Sequence, residues 1–234
     1  MSGSITLENR FGVNKMELIS LKYAIFVIVL LVLYYCFPKK YRWYVLLAGS
    51  MAYYVIICKW YVLFIIFTIC TTYGSTIWID KLLKKQNAIV KSHKEDWDRQ
   101  TRKEYKEKGR KKRVAVMLFA LLCNFGILAF LKYIPYAGEL GLLLPLGISF
   151  YTFQSMGYVM DVYREIVEPE KNFLKVALFV SFFPQIIQGP IAIYDKLAGQ
   201  LYEGHSLRLE NLQKGALLVL WGGMKKLVIA DRAV

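Results

Sequence analysis

The sequence has few of the residues from which metal sites, disulfide frameworks and general bases are built. It contains 2 histidines and 4 cysteines in 234 residues. No CxxC or CxxxC spacing occurs, so neither a disulfide framework nor a metal site is predicted. All four cysteines lie in apolar segments, where a small buried side chain is the simpler interpretation. Acidic residues are also scarce, 17 against 31 Lys and Arg.

The resulting net charge of +14 is concentrated in one place. Lys81–Arg113 holds 14 Lys and Arg against 5 Asp and Glu, a surplus of 9. No nucleic-acid motif or aromatic support accompanies this run, so nucleic acid is not an expected partner. Basic segments between apolar ones are typical of the cytoplasmic loops of membrane proteins. The segment either contacts anionic lipid head groups or is a solvated loop that only sets the topology.

The chain is unusually apolar, with 56% hydrophobic and 15% aromatic residues and a mean hydropathy of +0.37. Soluble domains have about 45–50% apolar residues, and a membrane-spanning helix needs about 20 of them in a row. The predicted spans are Leu21–Phe37, Tyr44–Cys58, Tyr61–Ile79, Val114–Leu131, Leu140–Val162, Phe173–Ile193 and Leu212–Ile229.

These spans predict an all-α, polytopic integral membrane protein: a helical bundle with broken or re-entrant helices around a polar chamber. The two basic loops, Pro38–Arg42 and Lys81–Arg113, are separated by two spans and are both expected in the cytoplasm. The predicted organisation is an extracytoplasmic segment (1–20), three transmembrane helices (21–79), a basic cytoplasmic segment (80–113) and a core (114–234).

Polar side chains recur through the apolar run "PLGISFYTFQSMGYVMDVYRE" (Pro145–Glu165). At 100° per residue they fall on one face of a helix, together with Gly147. Such groups are costly in hydrocarbon unless they face the protein interior or a wet cavity; the alternative is hydrogen bonding that joins the helices of a bundle. We call this face the polar stripe and expect it to line the chamber with the binding residues Tyr151, Gln154, Ser155, Tyr158 and Asp161.

The run "SFFPQIIQGPI" (Ser181–Ile191) contains residues that interrupt helices at membrane depth. Proline removes an intrahelical hydrogen bond, and a broken backbone is tolerated in a membrane only where it is buried in protein or lines a cavity. We therefore predict a re-entrant segment beside the chamber, with the binding residues Gln185, Gln188, Gly189 and Pro190.

Two lysines, Lys225 and Lys226, lie in "WGGMKKLVIAD" (Trp221–Asp231), between apolar flanks too short to span. They either extend to the membrane surface or neutralise an anionic substrate, and we include both among the candidate binding residues.

These three runs, together with "PKKYRWYVLLAGSMAYYVI" (Pro38–Ile56), resemble the N-terminal half of the membrane-bound O-acyltransferases. The similarity is greatest to the bacterial branch that contains alginate O-acetyltransferases and teichoic-acid D-alanyltransferases, and it extends from about Leu21 onward. The resemblance implies transfer of an acyl group, with acetyl expected, from a cytoplasmic thioester donor toward a hydroxyl of an exported cell-surface polysaccharide.

The same resemblance sets the expected partners and location. The donor would be acyl-CoA or a carrier-protein thioester, with no bound cofactor. The partners would be membrane lipids, the donor and an extracytoplasmic acetyltransferase with an esterase fold. The location would be the bacterial cytoplasmic membrane, crossed several times. D-alanyl transfer to teichoic acid is the alternative within the family, and a transporter or scaffold subunit is the alternative outside it.

The expected catalytic histidine is the point at which the chain departs from the family. A hydroxyl that attacks a thioester needs a base, and imidazole suits that role near neutral pH. The family's histidine lies in its later half, after an Arg-Trp-His type motif. Neither His93, in the basic segment, nor His205, in "LYEGHSLRLE", matches that context. We therefore expect the catalytic residue beyond Val234, a core truncated at its C-terminus, and an inactive chain when alone.

Overall fold

The computed structural model describes residues 21–93, 96–133, 145–225 and 228, without the side chains of residues 187 and 188. All regular secondary structure in this part of the chain is helical, which confirms the all-α class. The chain divides into two compact units. The described part of one unit is Leu47–Tyr202; the other combines 21–46 with the described residues from Glu203 onward.

The α-helices of the described residues follow the apolar runs, with two short turns of 3-10 helix at Lys39–Tyr41 and Lys59–Tyr61. In chain order they are α1 (Leu21–Cys36), α2 (Arg42–Cys58), α3 (Val62–Ser92), α4 (Arg99–Tyr133), α5 (Ile148–Tyr163), α6 (Phe173–Ser181), α7 (Phe183–Gln188), α8 (Tyr194–Tyr202) and α9 (Leu209–Met224).

Two helical runs, Lys39–Ser92 and Arg99–Tyr133, are long and apolar enough to cross a membrane. Much of their apolar surface is exposed: on α4, Phe119 is 66% and Leu122 is 72% exposed to solvent. A surface of this kind is unfavourable in water and favourable against lipid tails. The two runs therefore support a membrane protein.

Two of the predicted spans contain helices shorter than the span. Phe173–Ile193 is not one helix, because the chain leaves the helical conformation at Phe182 (ψ 105°), where α6 ends and α7 begins. Pro184, the second residue of α7, has no N–H with which to form the next hydrogen bond of α6, so the break lies before it. Of Leu140–Val162, residues 140–144 lie outside the described part, and α5 begins at Ile148.

The first unit is built around α3, which packs against α4, α5 and α6. Its inward face combines the apolar Ile65 and Ile69 with small polar residues such as Thr72 and Thr76, all buried. Small side chains let membrane helices approach closely. In the middle of this face a hydrogen bond joins α4 to α3, in which Asn124 Nδ2 donates to Thr71 Oγ1 at 2.9 Å.

Gly147 begins α5 in a conformation that favours glycine, with φ at +69°. A Cβ atom at this position would lie 2.2 Å from Ile186 Cγ2 and 2.4 Å from the Ile186 carbonyl oxygen. No side chain fits that space, so the start of α5 can lie directly against α7. This close approach brings the polar stripe beside the helix break.

The second unit is organised by one arginine. Arg42 Nε donates to the Phe37 carbonyl at 2.9 Å, and another guanidinium nitrogen donates to the carbonyl of His205. The guanidinium lies about 5 Å from the ring centres of Tyr34 and Tyr35, a distance at which a cation is attracted to an aromatic face. These contacts tie the segment before α9 to the turn between α1 and α2.

Candidate functional site

The polar stripe of α5 faces the protein interior. Tyr151, Gln154, Ser155 and Tyr158 are each at most 4% exposed, whereas Phe153 on the opposite side is 48% exposed. The helix therefore buries its polar groups and exposes phenylalanine, whereas a helix in a soluble protein exposes its polar face. Asp161 is half-buried near the end of the same helix. This arrangement suits a helix that meets lipid on one side and a polar interior on the other.

Gln154 bonds to the backbone exposed by the helix break. Its Nε2 donates to the carbonyl oxygen of Phe179 at 2.8 Å. In an unbroken helix that carbonyl would accept from the N–H of Phe183, but the N–H of Phe183 donates to Ser50 Oγ of α2 at 3.4 Å. One side chain from α5 and one from α2 thus bond to the two backbone groups that the break separates. Of the two roles that the sequence analysis gave for the polar stripe, Gln154 therefore has the second, hydrogen bonding between helices.

The hydroxyl of Tyr151 lies in a small polar group on the inner side of the stripe. Its ring packs edge-to-face on Tyr54 of α2, with centroids 6.3 Å apart, and the Tyr54 hydroxyl and Cys58 thiol are its polar neighbours. All three side chains are buried. The hydroxyls of Tyr54 and Tyr151 are buried without a hydrogen-bond partner among the described residues, so both keep hydrogen-bonding capacity in surroundings that exclude water.

Three polar atoms of the predicted site are buried without a hydrogen-bond partner among the described residues. They are Tyr151 Oη and Ser155 Oγ, on α5, and Gln185 Oε1, on α7. Buried polar groups are paired in most proteins, so each exception calls for an explanation such as a water molecule or a ligand group. All three residues belong to the predicted chamber, and all three have unused hydrogen-bonding capacity.

A cluster of tyrosines lies at the other end of the stripe. The Tyr158 hydroxyl accepts a hydrogen bond from the backbone N–H of Glu170 at 2.8 Å. Its ring stacks on Tyr194 of α8 at 4.1 Å between centroids, and Phe179 of α6 packs edge-to-face on both. Three helices, α5, α6 and α8, are joined by these rings.

Sequence reasoning missed the charged part of this cluster. Glu170 lies 3.8 Å from Lys175, and the Lys175 ammonium lies 4.8 Å from the ring centre of Tyr202. The Tyr202 hydroxyl donates to the Lys175 carbonyl at 2.8 Å. Burial raises the pKa of the Tyr202 phenol well above its ordinary value of 10, and the neighbouring Tyr194 raises it further. The Tyr202 phenol therefore keeps its proton and remains a hydrogen-bond donor. The helix that carries it, α8, has nine residues and is too short to span a membrane.

The remaining predicted residues are more scattered. Gly189 follows α7 in an extended conformation, with φ −74° and ψ 159°, and Pro190 is exposed. Lys225 belongs to the second unit, where its ammonium lies 5.2 Å from the ring centre of Trp221. The side chain of Gln188 and all of Lys226 lie outside the described residues. Their roles stay predictions, as do those of the other stripe residues.

Comparison with known proteins relates part of the chain to O-acetyltransferases. A probable alginate O-acetylase AlgI from Pseudomonas syringae is 40% identical over 89 residues, which are 38% of this chain and 17% of the relative. One from Pseudomonas putida is 34% identical over 114 residues, 49% of this chain and 22% of the relative. A peptidoglycan O-acetyltransferase from Helicobacter pylori is 31% identical over 153 residues, 49% of this chain and 29% of the relative.

No protein-family model and no solved structure matches the chain. The matched segments span less than a third of the relatives' own length. Within those segments the similarity is to proteins named for O-acetylation of alginate or peptidoglycan. Part of this chain is therefore homologous to membrane-bound O-acyltransferases of the alginate O-acetylase and peptidoglycan O-acetyltransferase type, which confirms the family that its sequence motifs resemble.

Proposed function

We propose that this protein takes part in transfer of an acetyl group from a cytoplasmic thioester donor to a hydroxyl of an exported cell-surface polysaccharide. The observation that carries the proposal is the buried polar stripe of α5, which faces inward in a chain homologous to O-acetyltransferases. Tyr151 and Ser155 of the stripe, and Gln185 of α7, have polar atoms without a partner among the described residues. A thioester carbonyl and an acceptor hydroxyl are groups of the size and polarity that such atoms bind.

The proposed setting is the bacterial cytoplasmic membrane, which the helical bundle would cross several times. The exposed apolar side chains of α4 would face lipid, and the broken pair α6 and α7 would border the chamber as a re-entrant segment. A break at this depth is stable only when its freed backbone groups have partners. The bonds from Gln154 and to Ser50 meet that requirement.

In the proposed reaction the acceptor hydroxyl attacks the thioester carbonyl. A carbon–oxygen bond forms, the carbon–sulfur bond breaks, and the thiolate leaves while a base takes the hydroxyl proton. We assign binding and orientation to the stripe, not proton transfer. His93 lies at the end of α3, where its ring stacks on Trp97 with 4.9 Å between the ring centres. Where an extracytoplasmic partner with an esterase fold completes the reaction, the hydroxyl that attacks the thioester belongs to an intermediate acceptor. The partner then moves the acetyl group from that ester to the polymer hydroxyl and frees the intermediate hydroxyl.

The test is a gain of ester-linked acetate in cells. The complete gene that encodes this chain is expressed in a strain that exports alginate and lacks its own O-acetyltransferase, and polymer acetate is measured by proton NMR. Tyr151→Phe removes one hydroxyl from the stripe and keeps the ring. Tyr133→Phe makes the same change at an exposed position of α4 and serves as the matched control.

We expect ester-linked acetate on the polymer with the native gene. Tyr151→Phe should lower the amount of acetate about tenfold or more, as for loss of one well-placed hydrogen bond, and Tyr133→Phe should leave it unchanged. Membrane levels of all three proteins are compared by immunoblotting. Polymer without acetate in every strain, at normal protein levels, would refute the proposed function. Equal acetylation by the two variants would refute the role of the stripe alone.

A further inference from the structure

We propose that a pocket at the ends of α3, α4 and α5 binds a phosphate group. The pocket has a volume of about 640 Å³ and is separate from the polar stripe. Its basic wall is formed by Lys103, Lys106, Arg110 and Arg113 of α4, against two carboxylates, those of Glu107 and Glu165. The surplus of two positive charges matches the charge of a phosphate dianion. This inference does not rest on the proposed function, because binding is measured without acyl transfer.

The four basic residues share one face of α4. Their spacing of three, four and three residues places them in a single row along the helix. Other cations of the same segment, such as Lys111 and Lys112, are exposed but do not line the pocket. The pocket therefore gathers part of the basic segment into one concave site, which a uniformly solvated helix would not do.

Arg113 is the residue that most strongly points to a ligand. It is only 8% exposed, and one terminal nitrogen lies 3.3 Å from Glu165 Oε1. Its Nε has no hydrogen-bond partner among the described residues. Arginine presents five N–H donors in a planar fork, and phosphate oxygens fit that fork in pairs. A buried guanidinium with an unused donor, at the inner end of a basic pocket, is suited to bind a phosphate.

Glu165 holds Arg113 in place through an unusual backbone conformation. Its φ is +61°, at the position after α5 where glycine is usual. The N–H of Glu165 donates to the Val162 carbonyl and that of Ile166 to the Asp161 carbonyl, the two bonds of a Schellman cap. A left-handed conformation is unfavourable for a residue that has a Cβ atom. The carboxylate is 54% exposed, so it remains solvated and can share Arg113 with a ligand.

The position of the pocket along α4 indicates where the phosphate comes from. Arg113 directly precedes the apolar residues 114–131, and Lys103 lies ten residues earlier, about 15 Å along the helix axis. In the proposed membrane placement, this distance covers the head-group layer and its aqueous edge. The phosphate of an anionic lipid head group therefore lies within reach of the pocket, and so does a phosphate of a soluble phosphoester that approaches from water.

The test compares two double variants of the full chain, purified in neutral detergent. Lys106→Gln with Arg110→Gln removes two charges from the pocket at exposed positions, so the fold should be kept. Lys111→Gln with Lys112→Gln removes two charges from the same helix outside the pocket. Native mass spectrometry gives the affinity for phosphatidic acid relative to phosphatidylcholine, and isothermal calorimetry gives the affinities for inorganic phosphate and adenosine 3′,5′-bisphosphate.

We expect the pocket variant to bind its phosphate ligand about tenfold more weakly, as for loss of a charged hydrogen bond, and the control variant to bind within about twofold of the native chain. A difference seen only with phosphatidic acid assigns the pocket to a lipid head group; one seen with the soluble phosphates assigns it to a soluble phosphoester. An equal loss in both variants, or no loss in either, would overturn the proposal, because attraction would then be diffuse or absent.

Arg113→Lys adds a test of the guanidinium itself. It keeps the charge but loses the fork and its second donor. We expect weaker binding with an unchanged midpoint of thermal unfolding when Glu165 is retained. Native affinity in this variant would show that Arg113 is only a partner of Glu165 and would remove it from the site.

Discussion

The hydrogen bond between Gln154 and the Phe179 carbonyl gives the most direct test of how the helix break is held. Gln154→Met keeps an unbranched side chain of similar length and removes the amide. The Phe179 carbonyl then loses the donor that lies 2.8 Å away and remains buried, since Phe179 itself is inaccessible to solvent. The break between α6 and α7 would be weakened on one side only, because Ser50 still accepts from Phe183.

The expected loss of stability follows from two estimates. A buried acceptor left without a donor costs about 1–3 kcal/mol, whereas single interhelical hydrogen bonds within membranes contribute about 0.6–1.7 kcal/mol. The Gln154 bond satisfies a backbone carbonyl at a helix end, so the unfolded-in-membrane state offers few substitutes for it. We therefore expect Gln154→Met to lower the free energy of unfolding by about 1–2 kcal/mol.

Ser155→Ala is the matched control on the next residue. Ser155 is as deeply buried as Gln154, but its Oγ has no partner among the described residues. Removing an unpaired buried hydroxyl relieves its desolvation cost, so we expect no loss of stability and a small gain. Both variants are unfolded from mixed micelles by increasing SDS and followed by far-UV circular dichroism. A loss below about 0.5 kcal/mol in Gln154→Met, or an equal loss in Ser155→Ala, would refute the reasoning.

Three further predictions use the same unfolding assay. Gly147→Ala should lower the free energy of unfolding by about 2–5 kcal/mol, because φ at this position is positive and the new Cβ would overlap Ile186. Its control is Gly157→Ala, where the Cβ would have open space around it and the free energy of unfolding should rise by up to about 1 kcal/mol. Equal effects of the two substitutions would contradict this prediction. Glu165→Gly should be more stable than Glu165→Ala by about 1 kcal/mol. Both variants lose the carboxylate, but only glycine adopts the positive φ without strain. Equal stabilities, or a more stable Glu165→Ala, would show that the cap is not strained. Because the pKa of Tyr202 is raised in the folded state, its contribution is complete below pH 10 and is lost as the pH rises above that value. Tyr202→Phe should therefore show a shallower fall of stability between pH 10 and about pH 11.5, and an unchanged slope would show that the phenol does not titrate with unfolding.

Much of the fold follows from local patterns in the sequence. The apolar runs predict α1, α2 and the apolar portions of α3 and α4, because length and hydropathy are properties of neighbouring residues. The inward face of α5 follows from the 100° spacing of Tyr151, Gln154, Ser155 and Tyr158. The interruption near Pro184 follows from the missing N–H of proline. Its position at Phe182 does not, since it depends on the partners that Gln154 and Ser50 supply.

The rest depends on contacts between residues far apart in the sequence. Glu170 and Lys175 look like ordinary charges of a short loop until α8 brings Tyr194 and Tyr202 against them. The sequence predicts a basic cytoplasmic segment but not its shape, and in the structure its described residues belong mainly to the end of α3 and the start of α4. Only that pairing creates the pocket around Arg113. The signal available in advance was the three-and-four spacing of its lysines and arginines, which periodicity analysis of charged residues would detect.

The lengths of α3 and α4 have a mechanical consequence. At 31 and 35 residues, these helices are about 46 and 52 Å long, while the hydrocarbon layer is about 30 Å thick. In the proposed placement about 16 Å of α3 and about 22 Å of α4 project beyond the layer. Gln86 of α3 donates to the Lys106 carbonyl of α4 at 3.0 Å, which joins the two projecting ends, and we treat the pair as one lever. A thinner bilayer makes long helices tilt. A tilt of about 20° would shift the projecting ends sideways by roughly 7 Å, so bilayer thickness would set where the basic end of the lever meets the membrane surface.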